Sequence, residues 1–404
     1  MEKAYKFRMY PQKAQEEFIQ RTFGCCRFTY NHFLSERIKL YQENKVTLNY
    51  RACSSLLTEL KNDLTWLREV DSIALQSSVR DLDTAYQNFF RRVKQGENPG
   101  FPRYKSKKNH RKSYKTKRVG KNIEVFDRHI KLPKLGLVEC RVSRLVEGRI
   151  LNATVSQTPS GKYFVSVCCT DVEIQKHIPT GKVLGIDVGL TDLAATSDDD
   201  VFQNHKYLRQ SEKKLARAQR RLSRKSIGSK NREKARIKVS RIQEHIANQR
   251  NDSLHNLSTQ LVRDYDTICI ESLNVKGMVR NRRLAKSISD ASWGEFTRQL
   301  QYKCEWHGKS LIKVDPFFPS SQLCSECGFQ NAAVKDLSIR QWTCPQCSAE
   351  HNRDTNAAKN ILTEGLRMAS KMNPNTVGQT EINAWGESVR RTGAVLVEPR
   401  IPRL

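Results

Sequence analysis

The sequence predicts a mixed α/β chain of 404 residues in two main units: an N-terminal β-barrel with an inserted helical bundle, then an α/β unit carrying a small metal-bound ribbon. Three observations predict it. Five short strand-like runs follow one another between 122 and 170, separated by turn residues. Two near-continuous apolar runs, VLGIDVGL (183–190) and DTICIES (266–272), read as strands of a sheet covered on both faces. Two Cys-x2-Cys pairs then close a short loop. A chain of this length also exceeds one ordinary core.

Taken in order, Ala4–Met9 alternates and stops at Pro11, a first strand assigned to the barrel. Phe18, Cys26, Tyr30 and Phe33 repeat at helical spacing around an expected break at Gly24. Leu48, Ala52, Leu56 and Leu60 do so after a Thr47 cap. The clearest helix is 72–94, where Leu75, Val79, Leu82, Tyr86, Phe89 and Val93 recur and Gly96 follows the end. Residues 98–118 begin with turn formers and hold nine Lys/Arg and no acid after Pro102. The strand runs NIEVF, HIKLP, LVECRV, ILNATVSQT and KYFVSVCCT come next, the last two joined by the turn Thr158–Gly161. Residues 205–250 carry 16 Lys/Arg against three Glu, with Leu208, Leu215 and Leu222 spaced by seven and a break at Gly228. Ile242, Ile246, Leu254, Leu257 and Leu261 resume the stripe, so this segment reads as a long basic helical hairpin. The polar tail 371–404 is expected to be flexible.

Charge narrows the class of partner. With 71 Lys+Arg against 42 Asp+Glu the chain carries +29, which opposes compaction and calls for a polyanion. Phosphates of nucleic acid answer that, because neutralising them releases condensed counterions. A membrane partner is excluded by the lack of an apolar run near the ~20 residues of a spanning helix and of any lipidation motif. The N-terminus has no signal-peptide core, so an intracellular location is expected. Eight of the 12 cysteines lie scattered in apolar stretches and read as small buried hydrophobes.

The other four, Cys324, Cys327, Cys344 and Cys347, have the spacing of a tetrahedral zinc ribbon with no open position, hence one structural Zn2+. Three acids form a second constellation. Asp187 and Glu271 each interrupt an apolar strand, where a charge is costly unless it is paired or holds a metal. Asp354 stands where a helix begins, a position at which an acid can also serve as a simple cap. Carboxylates sharing two hard divalent ions could activate water against a phosphodiester. Near 103–118, Tyr104 and Tyr114 interleave with cations, a pattern suited to backbone contact and base stacking.

GIDVGL, CIESLNVKGM, the run from SWGEF to LCSECG, CPQC and NRDTNAAKNIL resemble the transposon-encoded TnpB nucleases, compact relatives of type V CRISPR effectors. LQSSVRDLDTAYQNFF followed by NPGFPRYKSK is similar to the same family, so the resemblance spans roughly residues 1–365. It implies an RNase H-like (RuvC) nuclease domain over 181–323 and 348–370 with a zinc ribbon at 324–347. It further implies a wedge-like β-barrel over 1–10 and 97–180 and a helical recognition bundle over 11–96. Asp187, Glu271 and Asp354 then match the RuvC carboxylates, with a pair of Mg2+ ions between them. The implied partners are a guide RNA from the transposon end and target double-stranded DNA in a prokaryotic cytoplasm and nucleoid. A short flanking motif would be read by Gln76, Ser77 and Arg80 on the polar face of the 72–94 helix. Arg103, Tyr104, Lys105, Lys107, Lys108, Arg111 and Lys112 would join them. Two departures stand out: His351-Asn352 before Arg353, where an acidic residue is common, and Ser348 where glycine usually follows the second knuckle. Two alternatives remain at this stage, an RNA-guided repressor that does not cut and a nuclease or transposase acting without RNA.

Overall fold

The computed structural model describes residues 1–372, so the tail expected to be flexible lies outside the described residues apart from 371 and 372. The described chain divides into two compact units, Met1–Glu173 with Ala218–Arg241, and Ile174–Arg217 with the chain from Ile242 onward. The first boundary thus falls at 173 rather than near 180, and the tip of the basic hairpin belongs with the N-terminal unit. Arg236 explains that membership in part: it is tied to Glu233 and donates to the Pro159 carbonyl at 2.8 Å. Among the described residues no helix is long and apolar enough to cross a membrane.

In the first unit, β1 (Lys3–Met9) leads into α1 (Lys13–Asn44), α2 (Tyr50–Asp63) and α3 (Ser72–Lys94) before the remaining strands. These are β2 (Lys112–Lys117), β3 (Glu124–Val125), β4 (His129–Leu132), β5 (Gly136–Arg141), β6 (Arg149–Gln157) and β7 (Tyr163–Thr170). They form one antiparallel sheet in the order β2-β6-β7-β1-β5-β4-β3, and no pairing among the described residues joins its two edges. β1 sits inside the sheet against β7, from Lys3 opposite Cys169 to Met9 opposite Tyr163.

Three expectations for this unit are corrected. Gly24 does not break α1: Phe23, Cys25 and Cys26 are buried around it, and burying that stripe outweighs the ~1 kcal/mol a helical glycine costs. Helix α2 is capped by Asn49, not Thr47, and buries Cys53 and Leu57 while Leu56 is exposed. Strand β2 lies within the basic segment 98–118, for which no strand is expected. Its inward residues Tyr114 and Thr116 are buried, with Tyr114 edge-on to Phe23 at 5.8 Å, so Tyr114 is no stacking platform. The 72–94 helix stands as expected, capped by Asp71, which also accepts from the Thr116 hydroxyl at 2.5 Å.

The second unit is built on β8 (Val183–Asp187), β9 (Asp192–Thr196), β10 (Val201–Gln203), β11 (Thr267–Glu271) and β12 (Ser310–Val314). Their order is β10-β9-β8-β11-β12, with β8, β11 and β12 parallel and β9 antiparallel to its neighbours. Helices α4 (Tyr207–Ser223) and α5 (Lys230–Asp264) form the basic hairpin, and Ile242, Ile246, Leu254, Leu257 and Leu261 are buried as the stripe predicts. Short α6 (Val275–Met278) and α7 (Ala285–Ala291) lead to α8 (Trp293–His307), whose Trp293, Phe296 and Leu300 pack with Ile186 and Ile270. After β12 come the ribbon strands β13 (Gln341–Thr343) and β14 (Glu350–Asn352), then α9 (Arg353–Met372).

Helix α9 lies directly on β8 and β11, and two glycines permit it. A Cβ at Gly185 would stand 2.0 Å from the Ala358 carbonyl oxygen, and one at Gly365 2.4 Å from the Cys269 sulfur. Gly185→Ala should therefore push α9 off the sheet and cost about 3 kcal/mol, the upper range for overpacking. Chemical denaturation of the purified chain checks this, and an unchanged midpoint would show that the helix contact is looser than described.

Candidate functional site

The three acids arrive from different elements at one end of the five-stranded sheet. Asp187 is the last residue of β8 and Glu271 the last of β11. These strands are parallel, with Ile186 opposite Ile270, so the two acids are next-door neighbours across strands ~4.8 Å apart. Asp354 stands in the first turn of α9, the helix that the glycines hold against both strands. It is not the cap. Asn352 caps, its side chain accepting from the backbone N–H of Asp354 (3.0 Å) and Thr355 (3.4 Å), which leaves the Asp354 carboxylate for other work.

Electrostatics tie the acids together. Burial raises the Asp187 carboxyl well above the usual carboxylate range, and the negative charges of Glu271 and Asp354 push it further, opposed by Arg353 and the Val188 amide. Glu271 is raised by burial, against a hydrogen bond of 2.8 Å from the Ser320 hydroxyl. Asp354 meets Arg340, whose guanidinium nitrogen lies 3.2 and 3.3 Å from its two oxygens. The oxygens of the three acids are not all within 4.8 Å of one another; among the described residues only the four cysteines form so tight a group.

In that group the Cys324 and Cys347 sulfurs are 3.6 Å apart, as are those of Cys327 and Cys344. Four sulfurs at ~2.3 Å from one tetrahedral zinc would stand ~3.8 Å apart, so the donor set fits Zn2+. The knuckles repeat the same bonds: Gly328 N–H to Cys324 O at 2.9 Å, and Ser348 N–H to Cys344 O at 2.8 Å. The equivalent residues Gly328 and Ser348 have φ of +77° and +61°, the left-handed backbone that explains why glycine suits this place and Ser348 is the less comfortable choice. The other eight cysteines are free thiols, seven buried and Cys168 half-buried.

The ribbon is wired to the third acid. Asn356 and Asn360, one turn apart on α9, donate to the Leu323 carbonyl at 2.7 Å each, and Asn360 also to Ser320 O at 2.8 Å. The Arg353 amide donates to Arg340 O at 2.8 Å, and its guanidinium to Asp336 O at 2.5 Å. Sequence reading missed Arg340, Ser320, Asn356 and Asn360. The i, i+4 asparagines of NRDTNAAKN were the available signal; Arg340 offered none.

Of the expected nucleic-acid contacts, Gln76 and Arg80 are exposed on α3, with the Arg80 guanidinium stacked 3.8 Å from the Tyr50 ring. Ser77 is instead buried at 7% exposure on the core side of the helix, because it falls between Ala74 and Ser78 on the inward face. Arg103, Tyr104, Lys105, Lys107, Lys108 and Arg111 are exposed on the loop before β2. Lys112 is half-buried in β2 and donates to Gln20 at 2.8 Å. Asn31 clasps the Lys105 backbone (2.8 and 3.0 Å) and Lys105 reaches Asp81 at 3.8 Å, which fixes this basic loop beside α3.

The fold is shared with a solved Cas12f1 chain, in a structure titled "Cryo-EM structure of the Cas12f1-sgRNA-target DNA complex", at TM-score 0.53 and 15% identity, over 89% of this chain and 98% of that one. At that identity the likeness is one of fold. A family model described as "Cas12f1-like, TNB domain" matches 293–361, and the OrfB model of IS605-type elements, described as "Probable transposase", matches 166–282. A third, "Helix-turn-helix domain", matches 1–46, where this chain has strand β1 and the unbroken α1. A Streptomyces pristinaespiralis protein named "Putative RNA-guided DNA endonuclease" is 39% identical over 100% of this chain and 99% of its own length. The Escherichia coli K12 protein "Putative RNA-guided DNA endonuclease InsQ" is 36% identical over 90% and 92%. The chain belongs to the TnpB/OrfB family of IS605-type transposon proteins.

Proposed function

We propose that this chain is an RNA-guided DNA endonuclease of a transposable element, cutting target DNA beside a short flanking motif. The observation that carries the reading is the meeting of Asp187 with Glu271 and Asp354 at the ends of β8 and β11 and the start of α9. The sheet order, with β9 alone reversed, supports an RNase H-like (RuvC) assignment for 181–323 and 348–370, with 324–347 as its zinc ribbon. The strands within 1–10 and 97–173 serve as the wedge and 11–96 as the recognition bundle. A pair of Mg2+ ions held by the three acids would supply a nucleophilic water and neutralise the leaving oxygen of the phosphodiester. Hard oxygen donors suit that ion as thiolates suit zinc. The chain's own part is to hold the acids together against their repulsion, with Ser320 and Arg340 as their hydrogen-bonding partners.

The guide RNA, derived from the transposon end, and the target duplex meet a chain of charge +29. The test is cleavage of a matched plasmid by protein purified with its RNA, with and without Mg2+. Binding without nicking would favour a repressor, and activity surviving RNase treatment an RNA-independent nuclease. A pH profile adds a sharper check. Because the Asp187 carboxyl is raised, protons compete with the metal at higher pH than for an ordinary aspartate. Cleavage should fall as pH drops through that raised value, and more Mg2+ should move the fall to lower pH. An acid limb indifferent to Mg2+ would rule out this competition.

Motif reading is assigned to Gln76 and Arg80 with the loop from Arg103 to Arg111, and no longer to the buried Ser77. Gln76→Ala should relax the preference at one motif position by about 1–3 kcal/mol, the range of one base contact, with cleavage of permissive targets kept. A randomised-flank cleavage library reads this out, and an unaltered preference removes Gln76 from the surface.

A further inference from the structure

A cavity of about 410 Å³ opens at Glu271 and runs along α8 and the edge strand β12. Its lining mixes the apolar and aromatic side chains of Leu273, Val275, Trp293 and Tyr302 with polar ones and with the cations Arg298 and Lys313. Trp293 is held by its indole N–H, which donates to the Gly189 carbonyl at 3.2 Å, so that wall is rigid. Tyr302 is braced between the Arg298 guanidinium, 5.4 Å from its centroid, and the Trp306 ring at 4.7 Å. Two further cavities, around Asn204, Lys206 and Arg209, contain none of the three acids and no Trp or Tyr. A hollow that brings two aromatic side chains and two cations together beside a candidate metal-binding acid matches one nucleotide, its base against the rings and its phosphate near the cations.

We infer that this cavity is a nucleobase subsite, seating the base next to the phosphodiester that the three acids address. The inference rests on the endonuclease reading and adds that the nucleotide beside the cut is gripped by its base, not by its backbone alone. Base stacking is worth ~1–3 kcal/mol, so losing it should slow cleavage by roughly tenfold or more. The test uses the full chain with its RNA and matched targets carrying a single abasic nucleotide, moved stepwise past the cut. Thr297→Trp, from a residue lining the cavity, fills it. It should cut the intact target at least about tenfold more slowly than the unaltered chain does, yet cut one abasic target to within about threefold of the unaltered chain's rate on that same target. Tyr302→Ala opens the cavity instead; it should slow the intact target while leaving that abasic target at the unaltered chain's rate. Unchanged cutting by Thr297→Trp, no abasic position that restores it, or an equal loss by Tyr302→Ala on both targets overturns the subsite. If the unaltered chain itself cuts nothing with Mg2+, the endonuclease reading fails instead.

A separate observation concerns the zinc ribbon. For Cys324 the structure shows a side chain: Nε2 of His351 lies 3.0 Å from its sulfur, and the ring is buried against Trp342 with centroids 4.7 Å apart. The imidazole is outside the tight group of four sulfurs, so it is a donor to a ligand and not a fifth ligand. The geometry points to His351 as a positioning residue for zinc, spreading the thiolate charge of Cys324 through an N–H···S bond. His351→Ala should release zinc to a chromogenic chelator about tenfold faster, and His351→Gln, which keeps an N–H donor, should recover part of the difference. Release from His351→Ala at the unaltered rate overturns this, as does a Gln variant no better than Ala while both retain the unaltered chain's far-ultraviolet circular dichroism and affinity for the guide RNA.

Discussion

Asp187→Asn should abolish matched-target cleavage, by on the order of a thousandfold, while RNA-guided DNA binding survives. The side chain keeps its shape and loses the charge that would hold the metal. The same substitution should stabilise the metal-free fold at neutral pH. A carboxyl whose native pKa lies above its unfolded one makes the native state bind more protons in the interval between them, so stability falls as pH rises through that window. A neutral amide removes the penalty above the window and changes nothing below it. Thermal melts of metal-free protein at acid and neutral pH check the sign. Residual nicking near the unaltered rate would place the chemistry elsewhere; a destabilised variant at neutral pH would mean that burial, with the repulsion from Glu271 and Asp354, does not raise this carboxyl in solution.

Cys344→Ser should lose zinc and cut cleavage by about a hundredfold while RNA affinity changes little. The reason is the wiring between ribbon and α9. Asp354 is held from one side by Arg340, which precedes β13, and its helix is bonded through Asn356 and Asn360 to Leu323 beside the first knuckle. Without the metal the ribbon's small core of Cys324, Val334, Trp342 and Cys344 loses its anchor, and the third acid loses its frame. Filter binding with the guide RNA, run beside the cleavage assay and a zinc determination, separates the effects. Equal loss of RNA binding and cleavage would indicate general unfolding.

Periodicity and spacing were informative wherever burial follows local pattern. The 72–94 helix, the β6–β7 hairpin and the stripe from Ile242 to Leu261 were legible because one face of each meets a core and the sequence repeats at the period of that face. Helix α2 was misread because its true stripe is thin, Cys53 and Leu57, and an exposed Leu56 imitates a core residue. Strand β2 was hidden because four of its six residues are lysine or serine, and only Tyr114 and Thr116 are buried. Ser77 was placed on the wrong face since small polar residues pack inside a helix pair as readily as they face water.

The sequence by itself determined the chemistry available: a strongly basic chain, four thiolates at ribbon spacing, and acids at the ends of apolar strands where charge needs a reason. Tertiary structure alone decided how those acids are held. Parallel pairing sets Asp187 beside Glu271, two glycines let α9 close on the sheet to deliver Asp354, and Arg340 and Ser320 occupy the carboxylates. Such contacts join residues up to 167 positions apart, as from Asp187 to Asp354, and depend on side-chain packing that leaves no periodic trace along the chain.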